Sequence, residues 1–370
     1  MNAGSRVPAI LAVALLTLCL AASIPTTAAA ATDLAEELPQ IHDTVILADF
    51  DQMRDSPLYD RTFDLLESNH QAAGLIEELN DEFGISPRSD LEALAITSEA
   101  PPLNAAILTN PNTALDEATN QQSENAFILI RGNFEATDIL ERLVEESRLQ
   151  RGPDDESTSV TGNGIEVHIT GESTLGIALG SSDYLSQQRQ QLQGDTAGLN
   201  DAFRHGIQRL GDSQGLYLMV EPTIENPEQM QQNVGASASF VGLALDLKSQ
   251  FNLAMVMDVD DDELATETVG DIDEMRRQGA ANPMATLFGF GPMLENLSIE
   301  QRESEILMRT SMTNPEALRI IDQVRGIMEA EQQLGDPLEG DGFDTDQSDT
   351  DGSDSDTSDS DSNGVDADFN

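Results

Sequence analysis

Five residues, Gly211-Asp212-Ser213-Gln214-Gly215, match G-x-S-x-G, the pattern that holds an activated serine on a tight turn in serine hydrolases. That chemistry needs a strand before the serine and a helix after it, so that the hydroxyl is exposed on a strained elbow. Here the order is reversed. The helix-like segment LNDAFRHGIQRL precedes the serine, and the strand-like GLYLMVE follows it. The partner histidine should come later in the chain, yet His205 is the last one. The pentapeptide therefore reads as a glycine-rich turn.

A second place for chemistry is Val45-Ile46-Leu47-Ala48-Asp49-Phe50-Asp51, where two carboxylates follow an apolar run. These residues resemble the nucleophile motif of haloacid dehalogenase-type phosphatases. The resemblance implies attack by Asp49 on phosphorus, with Asp49 and Asp51 helping to hold Mg²⁺. It covers only this short stretch. Met53 stands where the motif wants Thr or Val, and Lys248, the only lysine, falls in a predicted hairpin. That fold also needs parallel strands, whereas the glycine turns here predict antiparallel ones. Asp49 and Asp51 are therefore expected to be acids at a strand end. The histidines His42, His70, His168 and His205 show no metal-ligand spacing. His168 alternates with Val167 and Ile169, which puts it on the polar face of a strand.

The C-terminal run contains Asp359-x-Asp361-x-Asn363-Gly364, which looks like the start of a calcium loop: alternate oxygens turn inward and the glycine permits the sharp bend. The glutamate expected at the twelfth position is Asn370, and Asp366 and Asp368 are partial substitutes. Weak calcium binding at Asp359, Asp361, Asn363 and Asp366 is the one metal expectation; no other cofactor is expected. Among apolar residues, Met219, Met255, Met257, Met308 and Met312 all fall in predicted strands of the second half. Methionine adapts to irregular contents. Met219, Met255, Met257 and Met308, with the segment NPMATLFGFGPML as a flap, could enclose a lipid or other apolar ligand. An ordinary methionine-containing core is the competing reading.

These residues need elements to hold them. TVILADF reads as a strand, and SPLYDRTFDLLESN as a helix with Ser56 as cap and Pro57 in its first turn. NAFILIR is a buried-strand candidate ahead of ATDILERLVEESRL, whose Ile139, Leu140, Leu143 and Val144 share one helical face. STSVT, IEVHIT and STLGIAL, joined at Gly162-Asn163-Gly164 and Gly171, predict an antiparallel meander. SDYLSQQRQQLQ reads as the helix that closes this first unit. In the second, Val241, Leu243, Leu245 and Leu247 alternate on one strand, and Phe251, Leu253, Met255, Met257 and Val259 on the next. A helix DDELATETVGDIDEMRRQ, a hairpin from LSIEQ to EILMRTSM, and a helix NPEALRIIDQVRGIMEA with Asn314 as cap complete the pattern.

The expected fold is α+β: two similar units of antiparallel sheet, residues 32–195 and 212–334, each with helices on one face. Residues 32–43 read as an acidic leader. Residues 1–31 read as a secretory signal peptide, with Arg6 ahead of an apolar run and small residues before cleavage after Ala30 or Ala31. That run is too short for a membrane span, so no integral span is expected once it is removed. Cys19, the only cysteine, lies within it, so the processed chain has no disulfide. Residues 335–370, rich in Asp and Ser, have no apolar run to bury and are predicted to be disordered.

Charge sets the solvent. The chain carries 18 basic against 68 acidic residues and a formal charge of −50. At ~1 M salt the Debye length falls to ~3 Å and most self-repulsion disappears. An acidic surface with one lysine therefore resembles proteins of salt-loving organisms. It lacks the basic patch that nucleic acid or an anionic membrane requires. By its plan of signal peptide, strand ending in acids, DSPLY helix start, two α+β units and acidic tail, the chain resembles uncharacterised exported bacterial proteins. That resemblance implies a periplasmic or extracellular location. The expectation is a non-enzymatic, salt-adapted binding or interaction module with a protein partner; the alternative is a carrier of an apolar ligand in the methionine-rich pocket.

Overall fold

The computed structural model describes residues 29–39, 43–68, 70–98, 125–146, 149–151, 158–162, 164–192, 198–211, 214–221, 238–247, 250–283 and 289–334. The segment read as a signal peptide, through residue 28, Asp212 and Ser213 of the glycine-rich pentapeptide, and the C-terminal run with Asp359, Asp361, Asn363 and Asp366 lie outside these residues. One compact unit extends through Glu329; of the unit Ala330–Asn370 only the last residues of a helix, 330–334, are described.

The described strands are β1 (Thr44–Asp49), β2 (Leu91–Ser98), β3 (Ala126–Gly132), β4 (Gln150–Arg151), β5 (Ser159–Gly162), β6 (Ile165–Gly171), β7 (Thr174–Leu179), β8 (Leu216–Val220), β9 (Ala238–Asp246), β10 (Phe251–Val259), β11 (Ser298–Arg302) and β12 (Glu305–Met312). They form one sheet in the order β11-β12-β10-β9-β8-β1-β2-β3-β7-β6-β5-β4. β1 pairs antiparallel with β2 on one side and β8 on the other. The two predicted regions thus contribute adjoining strands of one sheet, and a division into two units is not established. The hairpins are where the sequence put them. Gly164, at φ 78, and Glu303, at φ 55, supply the left-handed turn positions of β5–β6 and β11–β12.

The helices are α1 (Ala29–Ala35), α2 (Phe50–Met53), α3 (Pro57–Ser68), α4 (His70–Phe83), α5 (Pro87–Asp90), α6 (Ala136–Glu146), α7 (Ser182–Leu192), α8 (Asp201–Leu210), α9 (Asp262–Ala281), α10 (Gly291–Glu295) and α11 (Asn314–Leu334). Their starts follow capping chemistry. Asn200 caps α8 by accepting from the Phe203 N–H, and Asp261 caps α9 by accepting from Leu264. At α11 the cap is Thr313 rather than Asn314: the Glu316 carboxylate reaches back to the Thr313 N–H at 2.8 Å, the reciprocal half of a capping box.

Helices on one face only is the expectation that the structure overturns. Strand residues alternate, and both sets are apolar, so each face needs a cover. Val45, Leu47, Phe127, Leu129, Tyr217 and Met219 pack on one face with residues of α1, α7 and α8. Ile46, Leu94, Ile96, Ile128 and Ile177 pack on the other with residues of α2, α3, α6 and α11. The segment expected as an acidic leader therefore contributes to the core, with Leu34 and Leu38 buried.

Candidate functional site

Pairing registers trace one row of side chains across the second of these faces. It runs Val160, Val167, Ile177, Ile128, Ile96, Ile46, then Leu218, Leu243, Met255, Met308, Ile299, each directly opposite the next. The first six are all β-branched and buried, from Val160 at 0% exposure to Ile46 at 9%. The last five are all half-buried. Yet β8, β9, β10 and β12 each have a neighbour on both sides. On the opposite face of the same strands Met219, Ala244, Val256 and Leu307 are buried. The half-open strip is a property of one face of one half.

Neighbouring rows show why. One row toward the start of β12, Met257 and Ile306 are covered with Ala265 of α9 in a small separate cluster. Gln301 ties α9 to β11 through the Thr266 hydroxyl at 3.0 Å and the Asp262 carbonyl at 3.1 Å. One row the other way, the buried Thr310 hydroxyl donates to the Met293 carbonyl of α10. Beyond it, Met312 packs with Ala317 and Leu318 of α11. Helices thus clamp both flanks, and the Leu218–Ile299 row between them packs against those clusters only in part and stays half-buried. Across four strand spacings of about 4.8 Å the strip is about 19 Å long.

Of the predicted methionines, the sheet brings Met255, Met257 and Met308 to one face. Met219 lies opposite Gly242, on the other face, where it is fully buried beside Phe240. The four do not line one space, because β8 carries Met219 on the side of Tyr217 rather than that of Leu218. The glycine-rich turn does follow α8 and precede β8, against the order of a nucleophile elbow. Its Gly211 ends α8 at φ 108 and its carbonyl accepts from the Tyr217 hydroxyl at 2.6 Å.

Asp49 and Asp51 part company. Asp49 is 1% exposed and accepts from the backbone and side chain of Gln52, at 2.9 and 3.1 Å, and from the Ala31 backbone. Burial holds its carboxyl above the ordinary aspartate range, and those N–H donors offset part of the rise. Asp51 is exposed and pairs with Arg54 at 2.6 Å.

One cluster escaped the sequence. His168 does point away from Val167 and Ile169, but that face is covered by α7. Glu166, 1% exposed, takes two parallel hydrogen bonds of 2.8 Å from Arg189 of α7. His168 Nε2 sits 3.2 Å from the same carboxylate without forming a hydrogen bond. Burial pushes the His168 pKa down, with Glu166 opposing and Arg189 reinforcing. Gln188, next to Arg189, is fully buried, and neither amide atom has a hydrogen-bond partner among the described residues. The signal available in sequence was a charged residue at every second position of a strand facing a Gln/Arg-rich helix; nothing in it gives the pairing. Among the described residues no group of His, Cys, Asp and Glu is arranged to hold a metal ion.

Comparison with protein families and with curated proteins finds no match. Solved structures are similar at a distance. Crystal form III of TP0453 aligns over 79% of this chain and 97% of that one, at 8% identity and TM-score 0.46. Crystal forms I and IV align over 78% and 80% of this chain and 96% and 95% of those, each at 10% identity and TM-score 0.42. Likenesses this distant carry no argument about function. No described helix is long and apolar enough to cross a membrane.

Proposed function

We propose that this protein is an exported, non-enzymatic binding module adapted to high salt, and that its working surface is the half-open strip Leu218, Leu243, Met255, Met308 and Ile299. The observation that supports this is the change along one row, from buried β-branched residues to the half-buried Leu218, Leu243, Met255 and Met308, unbranched at Cβ and on strands with a neighbour on both sides, with the half-buried Ile299 of the edge strand at its end. Apolar side chains on interior strands are ordinarily covered; a contiguous row left half-open marks a surface shaped for a partner. Its length fits an amphipathic helix of about 13 residues at 1.5 Å per residue. The acidic exterior disfavours acidic partners, so the matching helix presents an apolar stripe with neutral or basic flanks.

A second reading, carriage of an apolar ligand, is favoured by the directly opposed Met255 and Met308, whose soft side chains suit acyl chains as well as helices. Fluorescence titration with an apolar dye in molar NaCl tests the surface. Leu243→Asp and Met255→Asp should abolish saturable dye binding while retaining the circular dichroism spectrum; undiminished binding would overturn the assignment. Lipid extraction and native mass spectrometry of protein isolated from its host separate the two occupants. Salt adaptation predicts a melting temperature that climbs from low to molar NaCl, and a flat profile would contradict it.

A further inference from the structure

The opposite face of the same half carries a polar cleft of about 320 Å³ where the C-terminal end of α8 meets β10 and β12. Registers place its residues together: Arg309 lies opposite Ala254 and Ser298, and Asn252 lies opposite Ser311 and Asp246. Arg309, exposed at the rim, is the cation among the described residues lining the cleft. The chain has 68 acids for 18 bases, and carboxylates take up its arginines readily. Arg54, Arg88, Arg131, Arg189, Arg204 and Arg209 each hold at least one. Arg309 has no carboxylate at ion-pair distance among the described residues. Its contact is with the Arg209 carbonyl, 3.2 Å from Nη2.

That contact caps a helix C-terminus and uses one of the five N–H donors of a guanidinium. The remaining fork faces a space that other groups also line with donors. Asn296 spends one amide hydrogen on the Ser311 carbonyl at 2.9 Å and keeps the other. Gln214 reaches the Leu210 carbonyl at 3.5 Å with its amide nitrogen and likewise keeps one hydrogen. The Ser311 hydroxyl adds another donor. Asp246, the one acid lining the cleft, is engaged by the Asn252 amide at 3.1 Å. A planar guanidinium with spare parallel N–H groups, ringed by neutral donors, matches a carboxylate.

We propose that this cleft binds a small organic carboxylate, with Arg309 as its anchor and Asn296, Ser311 and Gln214 completing the donor set. The volume is at the low end for ligand pockets and accommodates a small organic acid. A monoanion is favoured over phosphate because Asp246 stands close by and the whole chain is strongly negative. The site is on the other face from the apolar strip and does not depend on it.

Isothermal titration calorimetry of the full chain in molar NaCl tests this, with lactate as the probe and glycerol and inorganic phosphate as comparators. The expected result is one saturable lactate site, weakened more than tenfold by Arg309→Gln. Ser311→Glu keeps Arg309 in place but supplies it with an internal carboxylate, so it should block lactate equally without loss of the folded spectrum. It also keeps the test open if Arg309→Gln fails to fold. Lactate that does not saturate, lactate binding that survives Ser311→Glu, or glycerol or phosphate binding at least as tightly as lactate would each overturn the proposal.

Discussion

The two halves of the cross-sheet row carry similar hydrophobicity and end in different states. From Val160 to Ile46 every residue is β-branched, and helices α2, α3 and α6 seal the face above. From Leu218 to Met308 every residue is unbranched at Cβ, and the row packs only in part against the clusters that α9, α10 and α11 form at its flanks. Stiff side chains suit a fixed fit, because a branched Cβ leaves few rotamers to lose. Leucine and methionine keep more rotamers and can mould to something that comes and goes. The difference teaches that burial in this sheet is decided by the layer above a strand, not by the strand's place in the order.

The largest effect expected lies in the sealed half. Arg189→Ala leaves the Glu166 carboxylate buried without its partner, and breaking such a pair costs about 3–5 kcal/mol. Denaturant unfolding should show that loss, and Glu166→Gln in the same background should return part of it. Next comes a matched pair. Ile128→Ala removes a 2%-exposed side chain and should cost about 2–5 kcal/mol, the usual range for large-to-small core changes. Leu243→Ala on the half-open strip should cost about 1 kcal/mol, because less apolar surface returns to water. Equal losses at the two positions would remove the contrast.

A gain rather than a loss is expected at Gln188. Replacing a buried, unbonded amide by leucine removes an unpaid desolvation, so Gln188→Leu should stabilise by about 1–3 kcal/mol. The smallest effect is pH dependence at His168. Burial holds its folded pKa below the ordinary 6.5, so it is neutral in the fold and takes up a proton on unfolding. Its contribution to stability is therefore present above pH 6.5 and lost as pH falls through that value toward the folded pKa. Melting curves between pH 7.5 and 5.5 should fall for the wild type and flatten for His168→Leu.

Much of this was legible in the sequence, and for local reasons. Period-two alternation gave β5–β7, β9 and β10, a hairpin reading gave β11 and β12, and Ser56-Pro57 and Asp261 marked helix starts. The α+β class followed. What escaped was non-local. Pairing between β1 and β8 joins segments more than 150 residues apart, and no pattern within either strand encodes its neighbour. The helices on the Val45–Tyr217 face include α1, whose alanines read as the end of a signal peptide, and α7, which read only as the helix closing a first unit. The methionines were visible as a set, but placing Met219 apart from Met255, Met257 and Met308 needed the alternation counted from Leu218. The Glu166–Arg189 pair, 23 residues apart, needed the fold.

The central claim is that the Leu218–Met308 row stands open for a partner. Methionine oxidation, read by mass spectrometry after a timed peroxide pulse in molar NaCl, tests it at individual residues. Free protein should oxidise quickly at Met255 and Met308 and slowly at Met219 and Met257. Protein isolated with its natural occupant should protect Met255 and Met308 and leave the other two unchanged. Oxidation at Met255 and Met308 as slow as at Met219 in the free protein would contradict the account.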